Sequence, residues 1–171
     1  LNIESGLRVD YVINYEPVIL PRVSLLFKIN PKLTSRLGGG LGYKAPTIFT
    51  EESERIQYRN VLPIDKTNIL EKSYGANWDF NYRTSLFDEK VSLSVNQLFF
   101  YTFLDNPLTL IADTNSLYKF ANINGHIDSR GFETNIKIGY KHFKLFLGYT
   151  YTDTKTHIGN IHAVNYLTPL N

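Results

Sequence analysis

The chain has 171 residues, carries a formal net charge of +2 and contains no cysteine. A charge so close to balance excludes a nucleic-acid partner held by electrostatics. The missing thiols exclude a disulfide frame, a thiolate metal site and a cysteine nucleophile. No apolar run approaches the ~20 residues of a membrane helix, so any membrane span has to be built from strands.

The spacing of apolar residues predicts strands throughout, because side chains on a strand alternate between its two faces. The first, about Ile3 to Asn14, sets Leu7, Val9, Tyr11 and Ile13 against Arg8, Asp10 and Val12. A second follows Tyr15-Glu16-Pro17 and runs to Ile29, with Val23, Leu25, Phe27 and Ile29 opposite Arg22, Ser24, Leu26 and Lys28. Asn30-Pro31-Lys32 then reads as a tight turn. The third strand, Thr34 to Ala45, alternates Leu37, Gly39, Leu41 and Tyr43 with Arg36, Gly38, Gly40, Gly42 and Lys44. In the fourth, Tyr74, Ala76, Trp78, Phe80 and Tyr82 oppose Gly75, Asn77, Asp79, Asn81 and Arg83. Asp88-Glu89-Lys90 turns into a fifth, where Val91, Leu93, Val95, Phe99 and Tyr101 oppose Ser92, Ser94 and Asn96. The sixth ends with Phe132, Thr134, Ile136, Ile138 and Tyr140 against Glu133, Asn135, Lys137 and Gly139. After Lys141-His142 the seventh sets Phe143, Leu145, Leu147, Tyr149 and Tyr151 against Lys144, Phe146, Gly148, Thr150 and Thr152.

Connections sort by length. Asn30–Leu33, Asp88–Lys90 and Lys141–His142 are tight, whereas Pro46–Ile69, Asp105–Leu117 and the tail after His157 are long and polar, with Tyr15–Leu20 intermediate. Short connections follow the even strands and longer ones the odd strands, which puts every hairpin in a common orientation. Alternating strands of ~9–11 residues with this loop parity predict an all-β fold, an antiparallel up-and-down transmembrane β-barrel segment of about seven strands. Tyr43, Tyr82, Tyr101, Tyr140 and Tyr151 stand where strands leave the apolar band, as an interfacial aromatic belt requires. Leu1 lies inside a strand pattern and Asn171 ends a polar stretch, so residues 1–171 read as a partial barrel domain.

Chemistry-bearing motifs are few. Gly38-Gly39-Gly40-Leu41-Gly42 lacks phosphate-loop spacing and opens no helix, so its glycines read as strand residues that allow bending or close approach. His157 and His162, with Asp153 nearby, read as solvated loop residues, because a metal site needs a third close ligand and supporting partners. Glu51-Glu52 and Asp88-Glu89 lack His or Cys support. No catalytic set, metal site or cofactor motif is recognised, and the expectation is a protein that is not an enzyme. The long loop carries Glu51, Glu52, Glu54, Arg55, Tyr58 and Arg59, a mixture that suits both ligand capture and an ordinary solvated loop. Glu51, Glu52, Arg55, Tyr58 and Arg59 are the outer-loop candidates for ligand binding.

Pro21-Arg22-Val23 opening a strand, Gly42-Tyr43-Lys44-Ala45-Pro46 closing the next, and Glu71-Lys72-Ser73-Tyr74-Gly75 after the long loop form a pattern. Asn122-Ile123-Asn124-Gly125 followed by Ser129-Arg130-Gly131-Phe132-Glu133 extends it. In order and spacing these resemble the barrel of TonB-dependent outer-membrane receptors, from Gly6 to about Asp153. Lys44 stands where that family more often has Arg, which keeps the charge. The resemblance implies part of a barrel of about 22 strands around a plug. Its partners would be outer-membrane lipid, the protein's own plug domain, the TonB energy-transducing complex and an imported solute. The family's place is the outer membrane of a Gram-negative bacterium, and its solutes are scarce and large: a ferric siderophore, cobalamin or an oligosaccharide. On this view Arg8, Arg36, Lys44, Asp79, Arg83, Glu133 and Lys137 face lumen or plug.

A rival from another class is a soluble β-sandwich that binds carbohydrate, with tyrosines stacking on sugars. It predicts two sheets over a shared core and mixed loops at both ends. A smaller outer-membrane barrel with enzyme activity lacks its catalytic set.

Overall fold

A computed structural model of the chain describes residues 1–113 and 116–158. Seven strands hydrogen-bond into one antiparallel sheet: β1 (Asn2–Asp10), β2 (Val18–Asn30), β3 (Leu33–Lys44), β4 (Glu71–Leu86), β5 (Val91–Asp105), β8 (Gly125–Tyr140) and β9 (Phe143–Ile158). Neighbours in the sheet are successive strands, except that β6 (Leu108–Ala112) and β7 (Tyr118–Asn122) form a separate two-stranded hairpin between β5 and β8. This is the up-and-down order expected from the sequence, and the sheet is open. A sandwich would need a second layer packed over a shared core, and the described residues form no such pair of layers.

The alternation holds in three dimensions because the register is regular. One rung runs across all the strands as Ile3, Leu25, Leu37, Trp78, Phe99, Phe132 and Tyr151. Every member is apolar or aromatic, and Phe132 touches Phe99 and Tyr151 at ring separations of 6.4 and 5.8 Å. The adjacent rung on the other face reads Leu26, Arg36, Asp79, Leu98, Glu133 and Thr150. A slip of one residue would exchange these two sets, so the side-chain pattern pins the pairing.

The upper edge of the apolar face climbs diagonally over the strands. Its last apolar residue is Tyr151 on β9, Phe132 on β8, Phe103 on β5, Tyr74 on β4 and Tyr43 on β3, with the charged Asp153, Arg130, Asp105 and Lys72 next on that face of the first four. A boundary that crosses the rungs obliquely is what strands tilted to a flat apolar layer produce. From Val91 to Tyr101 the chain advances ~33 Å, which at the tilt of such strands spans about 25 Å of apolar band.

The tight turns lie at one end. Asn30 caps its turn, its Oδ1 accepting from the N–H groups of Lys32 and Leu33 at 2.9 Å. Phe87, Asp88 and Glu89 are all left-handed, and Lys141 has φ of 50°. The connections after β1, β3 and β5 lie at the other end, as the parity of the sequence requires; the tail expected after His157 lies, past Ile158, outside the described residues.

Three stretches differ from expectation. β1 stops at Asp10 and not near Asn14: Asn14 turns left-handed with φ of 71°, the N–H of Tyr15 donates to the Val12 carbonyl, and Pro17 has no N–H with which to extend the ladder. The fourth strand does begin where the long loop was expected to end, at Glu71, since Lys44 and Tyr43 supply partners for Glu71 and Lys72. The stretch 105–117, expected to be a polar loop, holds β6, because Leu108-Thr109-Leu110-Ile111-Ala112 pairs with Tyr118–Asn122. The long loop contains a short helix, α1 (Glu51–Arg55), capped by Thr50, whose Oγ1 accepts from the Ser53 N–H.

Fully buried apolar side chains are rare in the sheet, which is covered on neither face. They gather instead at the long-loop end: Leu20, Leu70, Leu108, Phe120 and Ile123.

Candidate functional site

The two long loops fold onto one another above the sheet. Two segments far apart in sequence are joined by backbone bonds: the Leu62 N–H donates to the Tyr118 carbonyl and the Tyr118 N–H to the Asn60 carbonyl, both at 2.8 Å. Asn68 is buried, its Nδ2 donating to the Phe120 carbonyl at 3.0 Å and its Oδ1 accepting from the Asp65 N–H. These bonds satisfy a polar group that would otherwise be costly to bury. Phe120 and Leu108 supply the apolar filling.

Glu71 ties this module to the wall. Its carboxylate is buried; Oε1 accepts from the Leu108 N–H at 2.8 Å, and Oε2 lies 3.5 Å from Lys44 Nζ. The first residue of β4 therefore anchors the first residue of the β6–β7 hairpin. At the exposed edge of the module, the N–H of Thr67 donates to Asp65 at 2.8 Å. That bond, followed by one from the Thr67 side chain, holds the Asp65 carboxyl below its ordinary value.

The loop candidates fall together. Glu51, Glu52 and Arg55 lie exposed on α1, and Tyr58 and Arg59 follow in the turn that closes it, where Gln57, Tyr58 and Asn60 are left-handed. Tyr58 meets Phe49 edge-on at 5.9 Å, and both rings are exposed. Phe49 escaped the sequence reading, although an aromatic residue inside a polar loop is a legible signal.

All seven residues expected to face lumen or plug share one face of the sheet. Arg36 and Asp79 are direct cross-strand partners, and Glu133 stands on the same rung. Arg83 and Lys137 share a rung through Ser94, with the Lys137 ammonium 5.2 Å from the centre of the Phe146 ring. Arg8 pairs with Asp10 at 2.9 Å, and Lys44 with Glu71. Apolar residues such as Leu26, Leu98 and Phe100 interrupt the polar set. At the glycines of β3 neighbouring backbone comes close: a Cβ at Gly39 would lie 3.1 Å from the Gly75 carbonyl oxygen, and one at Gly40 would lie 3.2 Å from that of Pro21. That is the close approach expected of them, and no phosphate loop is formed.

A further group emerges only in the fold. His126 and His157 are cross-strand partners, and Asp128 stands beside them. The expected neighbour Asp153 instead pairs with Arg130 at 3.2 Å, and His162 lies outside the described residues.

Comparison with curated proteins finds no match. Among solved structures, the chain is similar to a double mutant of the Serratia marcescens hemophore receptor HasR in complex with its hemophore HasA and heme. The two share 18% identity with a TM-score of 0.68, over 81% of this chain and 22% of that one. It is also similar to the FrpB iron transporter of Neisseria meningitidis (F3-3 variant), at 12% identity and a TM-score of 0.63, over 84% of this chain and 20% of that one. The chain thus spans about a fifth of the length of these solved proteins. At such identities the likeness is one of fold. The family described as TonB dependent receptor-like, beta-barrel, matches residues 1–168. With a two-faced, up-and-down sheet of tilted strands and loops long at one end only, the chain belongs to the TonB-dependent receptor-like β-barrel family.

Proposed function

We propose that this chain is a stretch of the wall and outer loops of an outer-membrane receptor that captures a scarce solute and imports it with TonB-coupled energy. The observation that carries this reading is the pair of faces. One presents an apolar band bounded by tyrosines, suited to lipid, and the other presents Arg36, Asp79, Arg83, Glu133 and Lys137, suited to a wet interior or a plug. The solute classes open to such a receptor are ferric siderophores, cobalamin and oligosaccharides. The similarity to HasR and to an iron transporter supports an iron-bearing cargo.

In this reading the short turns are periplasmic and the module of packed loops faces the medium. Glu51, Glu52, Arg55, Tyr58 and Arg59 offer mixed charge and an aromatic ring at its surface. The module is held by buried polar bonds, so ligand contacts are made from a preformed surface. The chain carries no turnover of its own.

The test uses the intact receptor in cells. Deleting residues 51–59 should weaken binding or uptake while the barrel stays folded, because exposed loop tips tolerate change. Collapsing the proton-motive force should abolish uptake. Import that continues unchanged without that force would reject the receptor reading and favour a passive pore. An epitope inserted beside Glu54 should label on intact cells; labelling only after permeabilisation would invert the topology.

A further inference from the structure

The three side chains of His126, Asp128 and His157 bring two imidazoles and one carboxylate to a single place on the β8–β9 hairpin. The donor atoms they offer lie within 4.8 Å of one another. His157 Nε2 stands 2.8 Å from Asp128 Oδ1, and His126 Nε2 stands 3.9 Å from the same oxygen. We propose that these residues form a binding site for a late first-row divalent cation, zinc(II) above all, clipping the outer ends of β8 and β9 together.

The donor chemistry fits that class. Imidazole nitrogen with one carboxylate suits zinc, copper and nickel, whereas calcium and magnesium demand cages of oxygen. Two histidines and an aspartate leave a fourth tetrahedral position for water. Donors around zinc stand ~3.4 Å apart, given bonds of about 2.0–2.1 Å. For both nitrogens to reach one ion the stacked imidazoles must swing apart, and side chains that are 37% and 53% exposed have room to do so.

The surroundings favour a cation. Asp128 is the least exposed of the three, at 16%. The cations nearby are engaged elsewhere: Asp153 takes Arg130 at 3.2 Å and Lys155 at 3.8 Å, although Lys155 is the register partner of Asp128. Asp105 is in register with His126 on the other side and adds negative charge to the same rung. Phe103 stacks on His126 at 4.7 Å, and His126 on His157 at 4.5 Å, which places both imidazoles side by side over one rung.

Position separates this site from the transport path. His126, Asp128 and His157 lie on the face of Leu147, Tyr149 and Tyr151, opposite Glu133 and Lys137. They also lie beyond the last apolar residues of their strands, Phe132 and Tyr151. The cation would therefore sit outside the barrel wall, above the apolar band, as a clip across the long-loop ends of β8 and β9. The donor cluster rests on this geometry and only its placement outside the wall rests on the receptor reading, so import of any cargo can fail without touching the binding of the ion.

The experiment titrates zinc into the intact protein, purified in detergent and stripped with a chelator. One zinc should bind per barrel, calcium and magnesium should not compete, and X-ray absorption should report nitrogen as well as oxygen ligands. Zinc should raise the unfolding midpoint. His126→Ala with His157→Ala should abolish binding and the midpoint rise, and Asp128→Asn should weaken binding about tenfold or more. His142→Ala, in the far turn, should bind as the native protein does. As a check that needs no variant, zinc should protect both histidines from acylation by diethyl pyrocarbonate. Unchanged zinc stoichiometry and affinity in the double variant, or equal acylation with and without zinc, would overturn the proposal.

Discussion

Asn122 closes on Ile69 as one strand closes on another. The Ile69 N–H donates to Asn122 Oδ1 at 2.8 Å, and Asn122 Nδ2 donates back to the Ile69 carbonyl at 3.1 Å. A side-chain amide here copies the donor and acceptor of a backbone rung. The same Nδ2 also donates to the Asn106 carbonyl at 2.9 Å, so one residue links the end of the long loop to both ends of the β6–β7 hairpin.

Replacing Asn122 with Ala should therefore free the two loops from each other. Two of these bonds are exposed and only that to the Asn106 carbonyl is part-buried, so their loss should cost the module about 0.5–1.5 kcal/mol. Hydrogen exchange at the Ile69 amide should accelerate, while amides in the middle of β4 and β5 stay protected. Equal acceleration in both places would mean that the loops and the sheet unfold as one unit.

Glu71→Ala removes the acceptor of the Leu108 N–H and the partner of Lys44. The hairpin should detach at its first residue, at a cost of about 1–3 kcal/mol from the unmatched amide. Limited proteolysis checks this, with cleavage expected to rise between β5 and β8. Glu71→Gln should behave more mildly, because its side-chain oxygen can still accept from Leu108. If both variants resist the protease as the native protein does, the anchor has been misassigned.

The faces of the sheet make unequal demands. Leu147 pairs with Ile136, which pairs with Val95, near the middle of the apolar band. Leu147→Arg in the intact protein should cost ~2–4 kcal/mol in a bilayer, the penalty for a cation near the midplane. Asn135→Arg, on the opposite face, should cost far less. Unfolding titrations in lipid vesicles measure both, and a larger penalty at 135 would exchange lipid side and interior.

Asp65 supplies a pH dependence with a definite sign. Its folded value lies below the ordinary 3.8, so its contribution is present above that pH and is lost as pH falls through the lower folded value. The turn at Thr67 and Asn68 should keep its exchange protection at neutral and mildly acidic pH and loosen only under strong acid. Asp65→Asn should remove that acid step from the intrinsic-rate-corrected profile. A loosening already complete at about pH 5 would rule Asp65 out as its cause.

Period-two alternation in the sequence is enough to locate the seven wall strands, to sort Arg36 and Glu133 from Leu37 and Phe132, and to place short turns at one end. These are local properties: each residue's face follows from its neighbours two positions away, and a turn declares itself by its own Asn, Pro or Asp. Elements that depend on distant partners stay hidden. Asn122 meets Ile69 across 53 residues and Glu71 meets Leu108 across 37. Neither pair is special until the register of β4, β5 and β8 brings it together. The β6–β7 hairpin escaped for the same reason, since five-residue strands without a wall to anchor them carry a weak signal. His157 was visible as a residue, but its partners were not: Asp153, close in sequence, is taken by Arg130, while Asp128 and His126 arrive from the opposite strand. Alternation determines which face a side chain occupies, and only the antiparallel register decides what it meets there.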